Sequence, residues 1–517
     1  MRASGLPSAP VTGPDGGRGH RGIMDGMDRI PATRLSRLLT GWAADGPGAL
    51  PRLLADALRE LAERGDVAPG TALPSQRALA SALGVSRSTV TSAYGLLEAE
   101  GRLESRHGSG SRLRASGAVG EPVGEGRLAS FGTRDGVVDL SSGALEGLPA
   151  VADALDSLSG RDLAAALAGD GYLPYGLPRL RELLAEQYRA AGLPTSPDQI
   201  LVTAGSQQAL WLITQGLVEP GDTVVVEDPT YRGALEALRA RGARLVPLPA
   251  YGSRSGAARA TDVHDDGPAA LARLTGRIRP RLVYLQPAVH NPTGRAMSGP
   301  TRRAWAAVLA ERGLYTVEDN AYAELSLSED GAPPPLAAQL PDGTTATIGT
   351  LSKLYWGGLR LGWIRASRPV IHRLAELRKS VDLSCPVVEQ LLAVRLLQGL
   401  PEARARRRAQ LRERLAAAER LLTAQAPHWR WERPAGGSAL WVELPGTDAE
   451  ATAQLARRAG VLVVPGPAFS AVDGFRSRLR LPFAARQDQR DPHDQYDRLA
   501  AALPVLLHSA DRAGPVR

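Results

Sequence analysis

Apolar residues first recur at helical spacing where Leu50, Leu53, Leu54, Ala57, Leu58 and Leu61 share one face of a stretch ending at Arg64, with Gly65 following as a stop. After the turn Ala68-Pro-Gly-Thr, the run Leu73-Pro-Ser-Gln-Arg77 opens a second helix at Pro74 and Ser75, which turns Leu79, Ala80 and Leu83 inward before Gly84 breaks it. Val85 is apolar, Ser86 is an N-cap, and a third helix carries Val90, Ala93, Tyr94 and Leu97 to Glu100 and the stop at Gly101. Residues 102–114 then alternate as a hairpin with His107-Gly-Ser-Gly at its tip. Two short helices joined by a glycine turn and followed by a hairpin predict a winged helix-turn-helix over residues 31–114.

Periodicity fades over residues 115–136, which read as a linker about twenty residues long that lets its flanks move relative to one another. From Val137 onward helices alternate with short apolar runs at Ile200 to Thr203, Thr223 to Val226, Arg244 to Leu248, Leu282 to Leu285, Tyr315 to Glu318 and Thr345 to Gly349. Such alternation predicts an α/β unit over 137–510 with a largely parallel sheet covered by helices on both faces. A smaller domain is expected mainly from about residue 370, with a long Arg-rich helix from Pro401 to Leu422. In that helix Glu402 and Glu413 flank Arg404 to Arg408 at helical spacing, so the arginines read as a solvated face.

Composition adds limits to this picture. The 517 residues exceed one ordinary core, and 43% hydrophobic with 22% charged residues is globular. No run approaches the roughly 20 apolar residues that span a bilayer, and residues 1–30 carry no apolar stretch, so they read as a disordered tail and not a secretory signal. Cys385 is the only cysteine, which excludes an intrachain disulfide or a cysteine zinc site and points to the cytoplasm. A net charge of +8 permits a polyanionic partner without establishing one.

Chemistry enters at Lys353, one of only two lysines in a chain that otherwise uses arginine for positive charge. Guanidinium stays protonated, whereas a lysine amine can lose its proton and attack an aldehyde. Thr350 and Ser352 place hydroxyls beside it, Gly357-Gly358 lets backbone approach a ligand, and the fork of Arg360 suits a phosphate. These neighbours suggest pyridoxal phosphate, although the stretch alone also reads as an exposed lysine before a glycine-rich turn. Lys379 lies in an Arg/Glu-rich amphipathic helix and reads as a surface residue. Other unusual residues follow the strands, where α/β folds keep their functional loops: Thr203-Ala-Gly-Ser-Gln-Gln, Asp228-Pro-Thr-Tyr231, Asn291-Pro-Thr-Gly294 and Glu318-Asp319-Asn-Ala-Tyr322. The first opens a helix whose N–H groups and dipole suit a phosphate.

The N-terminal pattern resembles the GntR family of DNA-binding domains in Leu73-Pro-Ser-Gln-Arg77, Leu83-Gly-Val-Ser-Arg-Ser-Thr-Val90, Tyr94 to Leu97 and Glu100-Gly. The outward positions of the third helix's first turn are read as Arg87, Ser88, Thr89 and Thr91, with no carboxylate among them to repel a phosphate, and Arg102, Arg106, Arg112 and Arg114 cluster beside the helix. The resemblance implies that Arg77, Ser86, Arg87, Ser88, Thr91, His107 and Gly108 contact a double-stranded operator.

The motifs of the second unit, in their order, resemble the class I and II aminotransferases of fold-type I. Residue by residue, the resemblance implies an internal aldimine on Lys353, Asp319 paired with the pyridine nitrogen, and Asn291 and Tyr322 at the phenolate oxygen. Tyr231 would stack on the ring, and Ser206, Gln207, Ser352 and Arg360 would hold the phosphate. Tyr172, in Gly171-Tyr-Leu-Pro-Tyr-Gly176, matches a position that reaches the neighbouring subunit's phosphate, which implies a homodimer. Arg480, in Leu479-Arg-Leu-Pro-Phe483, matches the arginine that grips an amino acid's α-carboxylate.

Together the halves resemble the MocR/GabR family of bacterial transcription regulators. That implies a DNA-binding regulator in which pyridoxal phosphate and an amino acid or amine act as effector, without sustained turnover. Two alternatives stay open: a working aminotransferase with a DNA-binding module, and a DNA-binding protein whose second half is only a dimerisation scaffold.

Overall fold

The computed structural model describes residues 29–44, 48–67, 70–106, 110–114, 137–249, 266–484 and 496–515. The linker expected at 115–136 and the tail expected at 1–30 lie outside them, Arg29 and Ile30 excepted. The chain divides into two units, Met1–Gly132 and Thr133–Arg517, each described here by itself.

In the first unit the helices Leu50–Glu63, Gln76–Leu83 and Arg87–Ala99 pack behind an antiparallel hairpin, Leu103–Arg106 with Gly110–Leu113. The two serines cap as the sequence suggests: Ser75 Oγ accepts the Ala78 N–H and Ser86 Oγ that of Thr89. Gly84 takes the left-handed conformation that ends the second helix, at φ 68°. Leu54, Leu58, Leu61, Val90, Tyr94 and Leu97 form the centre of the core, and the Tyr94 hydroxyl donates to Pro74 O at 3.0 Å. An earlier helix, Ala32–Leu38, and Trp42 close this core from the N-terminal side. Ile30, assigned to the tail by sequence, is buried with them and donates its N–H to Ala72 O.

The second unit is built on a seven-stranded mixed sheet in the spatial order Ile200–Thr203, Gly362–Arg365, Thr345–Thr350, Thr316–Asp319, Leu282–Leu285, Thr223–Asp228 and Arg244–Pro249. Gly362–Arg365 runs antiparallel to both its neighbours; the other pairs are parallel. The six strands expected from apolar runs all form, each within two residues at either end. The antiparallel strand is not among them, because its residues read as the end of the lysine loop. The inner strands Leu282–Leu285, Thr316–Asp319 and Thr345–Thr350 are buried along their length, as a sheet covered on both faces requires.

A second core gathers around a three-stranded antiparallel sheet, with Ala439–Glu443 and Val464–Pro465 flanking Arg478–Pro482, and takes in Leu411, Leu415 and Leu422 from the helix Leu400–Gln425. Leu140 and Leu145 belong to it as well, so chain from the start of the unit joins the smaller lobe. Helices Arg368–Arg378 and Val387–Gln398, expected in the smaller lobe, instead pack in the cores of the large sheet. The solvated face expected at Arg404 to Arg408 is also corrected: Arg407 is fully buried and bonded to main-chain carbonyls, and Arg404 pairs with Glu324. Charge spacing along a helix does not reveal a turn at which the neighbouring loop offers carbonyls. Among the described residues no helix is long and apolar enough to cross a membrane.

Two loops at the C-terminal edge of the sheet are tied together beneath the surface. The Glu227 carboxylate accepts the Gln286 N–H at 2.7 Å, and the Gln286 amide donates to Thr230 Oγ1 at 3.0 Å while accepting the Asn291 N–H at 3.3 Å. His290 Nε2 lies 3.7 Å from the same carboxylate. Burial pushes the Glu227 carboxyl up to about 7, against the Gln286 N–H, which favours the ionised form.

Two outcomes follow for stability. Leu58→Ala should lower the stability of the first unit by about 2–5 kcal/mol and leave the second unit's transition unchanged, as read by differential scanning calorimetry; an equal shift of both transitions would contradict the two-unit fold. Glu227 holds a proton in the folded state that the unfolded chain releases, so its contribution is greatest below the ordinary glutamate range and is lost as pH rises through about 7. Between pH 5 and 8 the second unit should therefore lose on the order of 3 kcal/mol more in the parent than in Glu227→Gln. Equal losses in chemical denaturation would refute this.

Candidate functional site

The loop between the strands Thr345–Thr350 and Gly362–Arg365 carries Lys353, half-buried, with its amine 5.4 Å from the centroid of the Tyr322 ring. Beneath it the loop is tightened by hydroxyls: Thr350 Oγ1 donates to Leu361 O at 2.6 Å and accepts the Ser352 N–H at 3.0 Å. Asp319, at the end of the adjacent strand, is buried and accepts the Tyr284 hydroxyl at 2.5 Å and the Ala321 N–H at 2.9 Å. Burial raises its pKa, and the Tyr284 hydroxyl, the Ala321 N–H and the charge of Lys353 oppose that rise. For Tyr322 the balance runs the other way. Burial raises the phenol, but the cations of Lys353 and Arg480 and the Ser438 hydroxyl together hold it below its ordinary value.

A cradle lies at the start of the helix Ser206–Leu217. Gly205 adopts φ 83°, and a Cβ there would come within 2.8 Å of the Arg360 guanidinium, which donates to Ala204 O at 2.9 Å. A side chain on Gly362 would press on the backbone of Gly205 and Ser206 at 2.6 and 2.8 Å. Glycines at both positions let the arginine lie across the helix start, whose first N–H groups and dipole favour an anion. Next to it the Tyr231 hydroxyl donates to Gln207 Oε1 at 2.9 Å, and Gln207 Nε2 donates to Gly233 O at 3.4 Å. Asn291 is buried at the bend tied to Gln286.

Arg480 comes from the middle strand of the small sheet. It is buried, lies 5.3 Å over the Phe469 ring and donates through Nη2 to Ser141 O. Burial pulls its pKa down, and Tyr322, Tyr231 and Asp139 counter that. Its Nε and the Ser141 hydroxyl are buried without a partner among the described residues. A buried donor without an acceptor is costly, which marks a position where a ligand oxygen would be favoured.

The structure thus brings Lys353, Asp319, Tyr322 and Arg480 into one electrostatic group and Ser206, Gln207, Tyr231 and Arg360 around one helix start. Ser352 lies beside Lys353 in the same loop. Tyr172 is 60% exposed in the single chain and touches none of them through a hydrogen bond to its side chain. Sequence reasoning missed Tyr284, the partner of Asp319, and Ser141, Gly143 and Ser438, which close in on Tyr322 and Arg480; a Cβ on Gly143 would meet Ser438 Oγ at 2.9 Å and Tyr322 Oη at 3.4 Å. Tyr284 had a signal, being the one polar ring in the otherwise aliphatic strand Leu282–Leu285.

In the first unit Arg77, Ser86, Arg87, Ser88 and Thr91 are exposed, and neither Arg77 nor Arg87 forms an ion pair among the described residues. Ser86 is occupied as the helix cap, and Thr91 Oγ1 donates to Arg87 O and Gln76 Oε1, each at 2.9 Å. Thr89 is corrected: it faces the core, its hydroxyl 2.8 Å from Ser86 Oγ, because the cap draws the first turn over it. Three cations of the expected basic cluster already have partners, Arg102 with Glu63, Arg112 with Gly70 O and Arg114 with Glu104. His107 and Gly108 lie outside the described residues.

Comparison with known proteins agrees with this layout. The pattern of aminotransferase class I and II matches residues 135–497, and that of the gntR family of bacterial regulatory proteins matches residues 52–113. A 2-aminoadipate transaminase of Thermus thermophilus is 34% identical over 65% of this chain and 81% of its own. The HTH-type transcriptional regulator YisV of Bacillus subtilis is 29% identical over 87% of this chain and 96% of its own. LysN, the α-aminoadipate aminotransferase of Thermus thermophilus solved with N-(5'-phosphopyridoxyl)-L-leucine, superposes with a TM-score of 0.61 at 29% identity, covering 75% of this chain and 97% of LysN. The chain therefore belongs to the aminotransferase class I and II family and, with a gntR-family domain ahead of that fold, has the MocR architecture.

Proposed function

We propose that the protein is a cytoplasmic, DNA-binding transcription regulator whose second unit binds pyridoxal phosphate through Lys353 and senses the cofactor, an amino acid or an amine there. The observation that carries this reading is Lys353 with its amine 5.4 Å from the centre of the Tyr322 ring and its charge acting on buried Asp319, near a buried arginine whose Nε has no partner among the described residues. When bound, the cofactor supplies an aldehyde that joins an amine and a ring that draws electrons from it.

Each part of the cofactor would meet a suitable group. Lys353 would supply the amine, and the carboxylate of Asp319, oriented by Tyr284, would keep the pyridine nitrogen protonated. Asn291 and the acidified phenol of Tyr322 would hold the phenolate oxygen, and Tyr231, fixed by Gln207, would stack on the ring. The helix start at Ser206 and Gln207, with Ser352 and Arg360, would hold the phosphate. The close packing at Gly205 and the exposed guanidinium of Arg360 support that cup. Tyr172 would complete the cup of a second copy, which makes the unit a homodimer; its exposure in the single chain suits that role. Arg480 and the Ser141 hydroxyl receive an effector's carboxylate, the oxygen ligand their unpaired atoms call for.

The first unit reads an operator through the face that holds Arg77, Ser86, Arg87, Ser88 and Thr91, with His107 and Gly108 as further contacts. Effector binding alters DNA binding only if its affinity differs between two arrangements of the protein. A second reading, a working aminotransferase carrying a DNA-binding module, draws on the same four groups and on the transaminase relative. A steady-state assay over many amino donors and keto acids separates the two, since sustained turnover favours the enzyme.

Two measurements test the regulator. In a mobility-shift titration Arg87→Ala should weaken specific operator binding by roughly 1–3 kcal/mol and, where a phosphate contact is lost, reduce the salt dependence by about one ion. An unchanged footprint and salt slope for both Arg87→Ala and Arg77→Ala would mean that this face is not the reader. Lys353→Ala should leave operator recognition largely intact and abolish the response to added pyridoxal phosphate and amines, in the mobility shift and in a reporter operon. Arg480→Ala should lose only the response to effectors with a carboxylate. A Lys353→Ala protein that responds like the parent would refute sensing at this lysine.

A further inference from the structure

Arg407 is the one cation in the run Arg404 to Arg408 that is fully buried. It leaves the helix Leu400–Gln425 and enters the loop that carries Lys353. Its Nε donates to Leu354 O at 2.9 Å and its Nη2 to Tyr355 O at 3.2 Å, the carbonyls of the two residues that follow the lysine. The same Nη2 donates to Glu146 O at 2.8 Å, and Nη1 donates to Gln410 Oε1 at 2.6 Å and lies 3.7 Å from the Glu146 carboxylate. Glu146 in turn pairs with Arg414 at 2.6 Å.

A buried guanidinium is expensive unless its donors are satisfied and its charge is balanced. Burial pulls the Arg407 pKa down to about 10, with Glu146 opposing, so the group is still a cation at neutral pH. The smaller lobe does not need this charge for its packing, since Leu411, Leu415, Ala418 and Leu422 of the same helix already fill its core. What the planar fork adds is geometry: several acceptors fixed in one plane by one side chain. Apart from Gln410 of its own helix, those acceptors belong to the lysine loop and to the segment continuous with Ser141 and Gly143, which borders Arg480. Three pieces of chain far apart in sequence thus converge on one side chain.

We propose that Arg407 is a positioning residue that sets the Lys353 amine for uptake of the cofactor aldehyde, in which the amine nitrogen would bond to the aldehyde carbon and the aldehyde oxygen would leave as water, acting through the two carbonyls that follow the lysine. This rests on the reading that pyridoxal phosphate is carried by Lys353. A positioning residue acts on the reaction with the amine and leaves the ring and phosphate contacts alone, so two probes on the full-length chain separate this role from plain support of the fold. Pyridoxal phosphate reports uptake by Lys353, through the growth of the absorbance of the lysine-bound form. Pyridoxine 5'-phosphate has the same ring and phosphate but no aldehyde, so its affinity reports the rest of the site.

Arg407→Met, similar in length but without donors, should take up pyridoxal phosphate roughly 10- to 100-fold more slowly than the parent, the effect expected of a reacting group displaced by about 1 Å, with pyridoxine phosphate affinity unchanged. Arg407→Lys, which keeps a cation and can restore one contact, should fall between. Should the methionine variant fail to fold, the lysine variant carries the same comparison. Uptake at the parent rate, or a parallel loss of both probes, would overturn the proposal. Absence of a Lys353-bound form in the parent itself would remove the underlying cofactor reading, and is told apart because no variant is involved.

Discussion

The candidate site depends on keeping opposite charges together in a place with little water. Lys353 and Arg480 act on Tyr322, Lys353 acts on Asp319, and none of these interactions would matter as much in bulk solvent. Buried charges are tolerated when each has a fixed counterpart, and the fold supplies these from several directions. Tyr284 orients Asp319 from the neighbouring strand, and Ser141 and Phe469 hold Arg480 from the smaller lobe. The sheet and the second core are arranged so that these groups meet at one edge.

Much of this was legible in the sequence where the signal was apolar periodicity or glycine stops. The winged helix read well because Leu54, Leu58 and Leu61 recur on one face and because serines stand at the helix starts. The strands Ile200–Thr203, Thr223–Asp228 and Leu282–Leu285 read well because they are buried along most of their length and rich in consecutive apolar residues. The antiparallel strand Gly362–Arg365 did not, since it follows directly on the glycines and Arg360 of the lysine loop. Its place is set by pairing on both edges, which is a tertiary fact.

Polar residues with structural duties were the hardest to read. Arg407 is one of four arginines between residues 404 and 408, and composition cannot say which of them faces a loop. Thr89 looked outward because its neighbours do, yet the Ser86 cap turns it in. The hairpin arginines looked like a free basic cluster, but carboxylates and a carbonyl neutralise or engage Arg102, Arg112 and Arg114. That leaves Arg77 and Arg87 as the exposed cations of the helix-turn-helix face without an ion pair among the described residues, and narrows where an operator phosphate would be drawn. The groups around Lys353 were readable only as an ordered set, since each alone is an ordinary acid, phenol or cation.

The central claim is that one amine, and not merely a lysine-bearing surface, carries the cofactor, and the chain offers an internal control because Lys379 is the only other lysine. Lys379 is exposed and paired with Glu376 at 2.7 Å. The most direct measurement is borohydride reduction of the protein loaded with pyridoxal phosphate, followed by peptide mapping of the labelled lysine. The account predicts label on Lys353 alone. Label on Lys379, or none, would contradict it.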